Sequence, residues 1–213
     1  MAKPMWLDEE REKASKYEWT MLEPGGHRLK IKGIEPTKSK TGLDMWIISF
    51  DTTEDDKQPA YYLNAYVNDT RPDKIWGGRS WLIVDENASS LLKTGEQFFY
   101  GRRNISNFTD AIEKSNFGFE TDWSNDFRSA EFLAQFTEKL IGGVFVKEYY
   151  SNASGEARAT TKLKYYRGID GVEDAKIPEE IDRQAPKPAA GQAGAQGFMQ
   201  LMDDTEEGIP FNV

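Results

Sequence analysis

The side chains most able to do chemistry in this sequence are basic and aromatic residues that share three short segments. Residues 27–42 carry a local charge of +4, residues 156–167 carry +3, and residues 71–81 hold three bases against one acid. Lysine and arginine can neutralise phosphates, and exposed aromatic rings can stack on unpaired bases. Solvation of an ordinary surface is the alternative use of each cluster taken by itself.

Other kinds of site lack their ligand atoms or nucleophiles. The chain has no cysteine and one histidine, His27. This composition excludes disulfides, thiol nucleophiles, iron–sulfur clusters and zinc sites built from thiolates or several histidines. The run Glu54–Asp56 could hold a hard cation, but three acids in a loop are more commonly turn residues. We therefore expect no catalysis, no cofactor and no metal.

The basic and aromatic segments supply the candidate contacts to nucleic acid. Basic residues would track the phosphates of a bound strand, and the candidates are Arg28, Lys30, Lys32, Lys38, Lys40, Arg79, Lys162 and Lys164. The candidate stacking residues are Trp46, Tyr61, Tyr66, Trp76, Trp81, Tyr149 and Tyr166. Trp46 stands between Met45 and Ile47, which favours the core for it, whereas Trp76 precedes two glycines, which favours exposure.

Hydrophobic periodicity predicts the elements that would position these residues. A period of two predicts strands over residues 27–34, 43–51, 61–67, 81–84, 142–150 and 159–166. Apolar residues spaced at three and four predict helices over about 103–115 and 128–139. The predicted class is mainly β with a helical insertion over about 103–139. An oligonucleotide/oligosaccharide-binding (OB) barrel of about five strands and two helices fits this order, and a different β-sandwich fits almost as well.

Charge and composition divide the chain further. The net charge is −9, of which −7 follows residue 167, so the preceding 167 residues carry only −2. We expect an N-terminal arm over 1–20, a binding domain over 21–183, a flexible linker over 184–202 rich in Ala, Gly, Gln and Pro, and a disordered acidic tail over 203–213. The apolar stretches are too short to span a membrane, and the N-terminus lacks an apolar signal segment. We therefore expect no membrane partner and a cytoplasmic location.

The tail combines acids with an apolar end and contains no base. Its candidate contacts to a partner protein are Asp203, Asp204, Glu206, Glu207, Ile209, Pro210 and Phe211. The acids would be steered to a basic surface while Phe211 enters an apolar pocket. A merely solubilising tail is the alternative.

This layout of barrel, linker and acidic tail resembles that of bacterial and phage single-stranded DNA-binding proteins. The tail match covers residues 203–211, and the Pro24–Gly26 start before a basic strand looks more like the phage-encoded relatives. The resemblance implies a protein that binds single-stranded DNA without sequence preference in phage DNA replication, recombination or repair. It also implies protection of the strand and recruitment of replication and recombination proteins through the tail. In the bacterial proteins phenylalanine is the last residue, whereas Asn212 and Val213 follow Phe211 here.

Two other interpretations stay open from the sequence. A β-domain that binds no nucleic acid, either an adaptor or a carbohydrate-binding module, would use its aromatic rings on proteins or sugars and would not need Arg28, Lys30 and Lys32 on one face. A replication-associated nuclease would need carboxylates that converge from several elements. The sequence does not decide between a monomer and a homo-oligomer, or between DNA and RNA.

Overall fold

The structure is a computed structural model that describes residues 21–151 and 157–183. The predicted arm (1–20), linker (184–202) and acidic tail (203–213) lie outside the described residues. The elements, in chain order, are β1 (Gly25–Lys38), β2 (Asp44–Thr52), α1 (Tyr61–Asn68), β3 (Arg79–Ile83), β4 (Ser90–Leu91), β5 (Gln97–Phe98), α2 (Tyr100–Ser115), α3 (Ala130–Ala134), β6 (Leu140–Ser151), β7 (Ala157–Arg167) and β8 (Ile181–Asp182).

The described residues form two compact units. The first holds residues 21–147 and 160–180, and the second holds 148–151, 157–159 and 181–183. Within the second unit, Glu148 forms an ion pair with Arg183, and β8 runs parallel to β6 beside Glu148 and Tyr149. The candidate residues between Arg28 and Tyr166 belong to the first unit, except Tyr149, which belongs to the second.

The main sheet confirms the predicted mainly β class with a helical insertion. Its antiparallel strand order is β3-β2-β1-β6-β7, and β8 joins β6 off this path. The sheet does not close into a barrel, because β3 and β7 stand at its two ends and no backbone pairing between them occurs in the described residues. Side chains come close where the backbones do not pair: the hydroxyls of Ser80 and Tyr166 lie 2.5 Å apart.

Alternation along β1 and β2 places one set of side chains in the core. Leu29 and Ile31 on β1 are fully buried, as are Trp46 and Ile48 on β2, in agreement with the period of two. The register slips at one point, because Ile31 pairs with Phe50 while Gly33 pairs with Ser49. Lys32 is therefore the extra residue of a β-bulge.

The helical insertion covers the core side of the sheet. Helix α2 buries Ile105, Phe108 and Ile112, whose spacing predicted it, and it begins three residues earlier than expected. The second predicted helix is shorter, because α3 ends at Ala134 and Glu138 has a positive φ of 65°. Phe136 remains in the core although it lies beyond the helix, where its ring packs against Trp46, Phe108, Phe119 and Phe132.

The strand predicted over 61–67 is wrong, because these residues form helix α1. Their tyrosines and valine favour a strand by propensity, but tertiary contacts decide otherwise. Asp51 at the end of β2 accepts hydrogen bonds from the backbone N–H of Tyr62 (2.9 Å) and Leu63 (3.2 Å), and Thr52 accepts from Tyr61 (2.9 Å). The first N–H groups of a helix have no partner within it, so these side chains supply acceptors.

Replacing Asp51 with alanine is expected to lower the free energy of unfolding by about 1–2 kcal/mol, as the loss of a helix cap does. The reason is that the amides of Tyr62 and Leu63 lose their acceptor at the start of α1. Urea denaturation followed by tryptophan fluorescence measures the change. Thr53→Ala is the control, because Thr53 lies two residues further on and outside the cap. An equal loss of unfolding free energy in both variants would contradict a capping role for Asp51.

Candidate nucleic-acid interface

The outer side of the sheet, away from the core, is covered at one end and open at the other. Near β6, Val144 packs with Val172 and Ala175, and the chain passes so close to β1 that a Cβ on Gly26 would lie 1.6 Å from the carbonyl oxygen of Val172. Cross-strand partners share a face, so the register defines the uncovered part. We call it the open face, and its residues are Gly33, Glu35, Thr37, Met45, Ile47, Ser49, Arg79, Trp81 and Ile83, none of which is buried.

Trp81 is the aromatic residue of the open face, and 61% of its surface is accessible. It lies in the middle of β3 directly across from Ile47 on β2, so a paired backbone fixes its position. Arg79 stands two residues earlier on the same face and is exposed, and it forms no ion pair with any residue that the structure describes. A ring and a cation side by side on one strand can hold a base and the phosphate next to it.

A second aromatic cluster lies just before β3. The rings of Tyr66 and Trp76 are 5.9 Å apart, and the ammonium of Lys74 lies 4.6 Å from the centre of the Tyr66 ring. Trp76 is half-buried, because its indole N–H donates to the carbonyl oxygens of Phe50 and Gly78, both at 3.1 Å. Trp76 was expected to be exposed, but it anchors the loop, and Tyr66 is the ring of this pair that a ligand can reach.

The basic residues of β1 point outward as predicted, but each has a carboxylate partner. Arg28 lies 3.3 Å from Glu173, while Lys30 and Lys32 both face Glu138. The hydrogen bond from Lys30 holds the pKa of Glu138 below its usual range. Exposed pairs of this kind contribute about 0–1 kcal/mol each, so a phosphate can replace the carboxylate at little loss of stability.

A cavity of about 250 Å³ lies at the far end of the β1–β2 hairpin, where Pro36, Met45 and Val84 form its apolar wall. Its two cations share one carboxylate: Lys38 lies 2.6 Å and Arg128 lies 2.8 Å from the two oxygens of Asp44. Lys38 was predicted to contact phosphate, but its charge is balanced by Asp44 in this structure.

Four further candidates lie outside the open face. Lys40 is exposed in the turn between β1 and β2, and Lys162 and Lys164 lie on β7, the first exposed and the second half-buried. Tyr149, in the second unit, is half-buried. The structure gives no reason to group these residues with Trp81.

Three aromatic candidates belong to the core. Trp46 is fully buried against Phe108, with its indole N–H on the carbonyl of Phe127, so it cannot stack on a base. The Tyr61 hydroxyl accepts the N–H of Leu22. The Tyr166 ring packs on Phe108, and burial raises the pKa of its hydroxyl. The apolar neighbours of Trp46 had favoured the core for it, whereas the residues around Tyr61 and Tyr166 did not separate an inner position from an outer one.

No protein-family model matches the chain, and no curated protein matches it.

One group of residues at the start of α2 was missed from the sequence. Phe98, Phe99, Arg102 and Arg103 interleave aromatic and basic residues as the three recognised segments do, which was the available signal. In the structure the guanidinium of Arg102 lies 4.4 Å from the centre of the Phe99 ring, and that of Arg103 lies 5.5 Å from the Phe98 ring. Both arginines are exposed.

The acidic run Glu54–Asp56 is partly exposed and partly buried. Glu54 and Asp55 are exposed, whereas Asp56 is buried and bound to His27. Among the described residues, no three His, Cys, Asp or Glu side chains come together in a group that could hold a metal ion. No helix in the described ranges is long and apolar enough to cross a membrane.

Proposed function

We propose that this protein binds single-stranded DNA without sequence preference. The observation that carries the proposal is Trp81, a largely exposed indole held by strand pairing on an open sheet face with Arg79 beside it. A ring fixed by its backbone is already positioned to stack, and stacking on a ring face requires a base that is not inside a duplex.

The neighbours of Trp81 favour binding that tolerates any base. Ile47 lies across from it and Ile83 lies two residues further along the strand, so apolar side chains flank the indole. Such side chains cannot read the hydrogen-bonding edges of a base, whereas stacking is available to every base. The ion-paired cations of β1 add exchangeable contacts to phosphates.

The biological setting follows from the resemblance stated for the sequence. The protein would act in phage DNA replication, recombination or repair in the cytoplasm of the bacterial cell, protecting exposed strands. Its acidic tail (203–213) would recruit replication and recombination proteins by charge steering and insertion of Phe211. This tail lies outside the described residues, so its support is the sequence pattern alone.

The deciding experiment titrates the full chain with oligo-dT, duplex DNA and an oligosaccharide over a salt series. Tryptophan fluorescence and mobility shift report binding. We expect tight binding to oligo-dT that weakens steeply with salt, weaker binding to duplex DNA, and no binding to the oligosaccharide. A chain that ignores oligo-dT at 50 mM salt, or that prefers the oligosaccharide, would overturn the proposal.

A further inference from the structure

Two arginines on α2 have no carboxylate partner among the residues that the structure describes. Arg102 and Arg103 stack on Phe99 and Phe98, and both are exposed. Within the described part of the chain neither forms an ion pair, in contrast to the cations of β1. An aromatic ring orders a guanidinium and leaves the N–H groups at its edge accessible, where they can bind an oxyanion in pairs. In Arg102 these are the terminal amino groups, because Nε donates to a backbone carbonyl.

The first turn of α2 is fixed against the end of β3. Arg102 Nε donates to the carbonyl of Glu86 at 2.9 Å, and Asn104 donates to the carbonyl of Ile83 at 2.9 Å. The acids that flank this junction are engaged elsewhere: the Asp85 side chain accepts the N–H of Asn87 and of Asp44, and Glu86 lies 3.6 Å from Arg128.

The placement of these arginines opposes the local electrostatics of the helix. The N-terminal turn of a helix carries partial positive charge, which disfavours cations there. In α2 this turn contains no acidic residue, and no side chain caps it. An anion bound beside Arg102 and Arg103 would remove the repulsion, and departures from local rules of this kind are expected at functional positions.

We propose that Arg102 and Arg103 bind the phosphate backbone of single-stranded nucleic acid. The site deepens the proposed function and rests on it: the strand that stacks on Trp81 would continue past Ile83 to the start of α2. Asn104 ties the first turn of α2 to Ile83, which lies two residues, roughly 7 Å, from Trp81 on β3. A strand that passes from Trp81 over the end of β3 to this turn would bring its phosphates to the two arginines.

The test compares the wild-type chain with Arg102→Gln/Arg103→Gln in oligo-dT titrations between 50 and 300 mM salt. Loss of two phosphate contacts is expected to reduce the slope of log K against log salt by about 1.4 and to weaken binding on the order of tenfold or more at 50 mM salt. Lys114→Gln/Lys176→Gln removes the same charge from exposed positions away from this turn and is the matched control. Arg102→Lys/Arg103→Lys retains the charge and should retain most of the slope.

The outcomes separate this site from the general proposal. If the glutamine variant binds oligo-dT with the wild-type slope, the arginine site is overturned while single-strand binding stands. An equal loss of oligo-dT affinity and slope in Lys114→Gln/Lys176→Gln would also overturn it, since the effect would then come from net charge. A wild-type chain that does not bind oligo-dT would overturn both proposals. Thermal unfolding of each variant confirms that these exposed substitutions leave the fold intact.

Discussion

Replacing Trp81 with alanine is expected to weaken oligo-dT binding by roughly 5- to 150-fold, which corresponds to about 1–3 kcal/mol for one stacked base. The indole is 61% exposed and lies on a paired strand, so its removal takes away contact surface without opening the core. Trp81→Phe retains a flat ring and should recover most of the affinity. Mobility shift, which does not depend on the fluorescence of the lost indole, measures all three proteins.

Trp123→Ala is the matched control for this substitution. Trp123 is 55% exposed, but it lies in the loop between α2 and α3, where its ring packs on Phe132. Its loss is expected to leave oligo-dT affinity within twofold. If Trp81→Ala and Trp123→Ala weaken binding equally, or if Trp81→Ala has no effect, the open face is not the binding surface.

Replacing His27 with alanine is expected to lower the free energy of unfolding by about 3–5 kcal/mol, the range for breaking a buried ion pair from one side. His27 and Asp56 are both fully buried, with Nδ1 2.9 Å from the Asp56 carboxylate. Nε2 lies 2.8 Å from the carbonyl oxygen of Glu23. The substitution leaves a buried carboxylate without its counter-ion.

The same pair predicts how stability changes in acid. Burial alone would raise the pKa of Asp56, but hydrogen bonds from His27 and from the amides of Gln58 and Arg28 lower it below the ordinary value. An aspartate with a lowered folded-state pKa stabilises the fold above the unfolded pKa of about 4, and this contribution disappears as the pH falls through the folded value. Asp56→Asn should therefore lose on the order of 3 kcal/mol at pH 7 and show a smaller fall in stability between pH 5 and pH 3 than wild type.

Denaturant unfolding at pH 7, 5 and 3 tests both substitutions. Asp55→Asn changes the exposed neighbour in the same loop and should stay within about 0.5 kcal/mol of wild type. A His27→Ala protein as stable as the Asp55 variant, or an Asp56→Asn protein with the wild-type pH dependence, would show that the pair does not hold this part of the fold together.

The sequence predicted those elements whose pattern is set by burial on one side. The alternation of Leu29 and Ile31 with Arg28 and Lys30 identified β1, and Ile105, Phe108 and Ile112 identified α2, because these apolar residues all face the same core. Residues 61–68 could not be predicted in this way. No residue of α1 is buried, and its helical form depends on hydrogen-bond acceptors that Asp51 and Thr52 supply from the end of β2.

The sequence predicted which residue types form the candidate site, but it did not predict the contacts that each residue makes. Trp81 and Arg79 were found, and the structure places them on one exposed face. The sequence could not reveal that Glu138 and Glu173, more than a hundred residues away, lie against Lys30 and Arg28, because long-range pairs leave no local pattern. The arginines of α2 carried the right local pattern, but the aromatic and basic residues of this group stand at the boundary of the predicted helical insertion, which began at residue 103, and were not recognised as a group.

The open junction between β3 and β7 has a mechanical consequence. A closed barrel resists spreading with a whole ladder of backbone hydrogen bonds, whereas here the strands at the two ends of the sheet meet through the Ser80 and Tyr166 hydroxyls. Among the described residues, the spacing of β3 and β7 is therefore set by side chains and not by a backbone ladder. A change in this spacing requires no loss of the backbone pairing between β3 and β2, so the strand that presents Trp81 keeps its register whether the gap is narrow or wide.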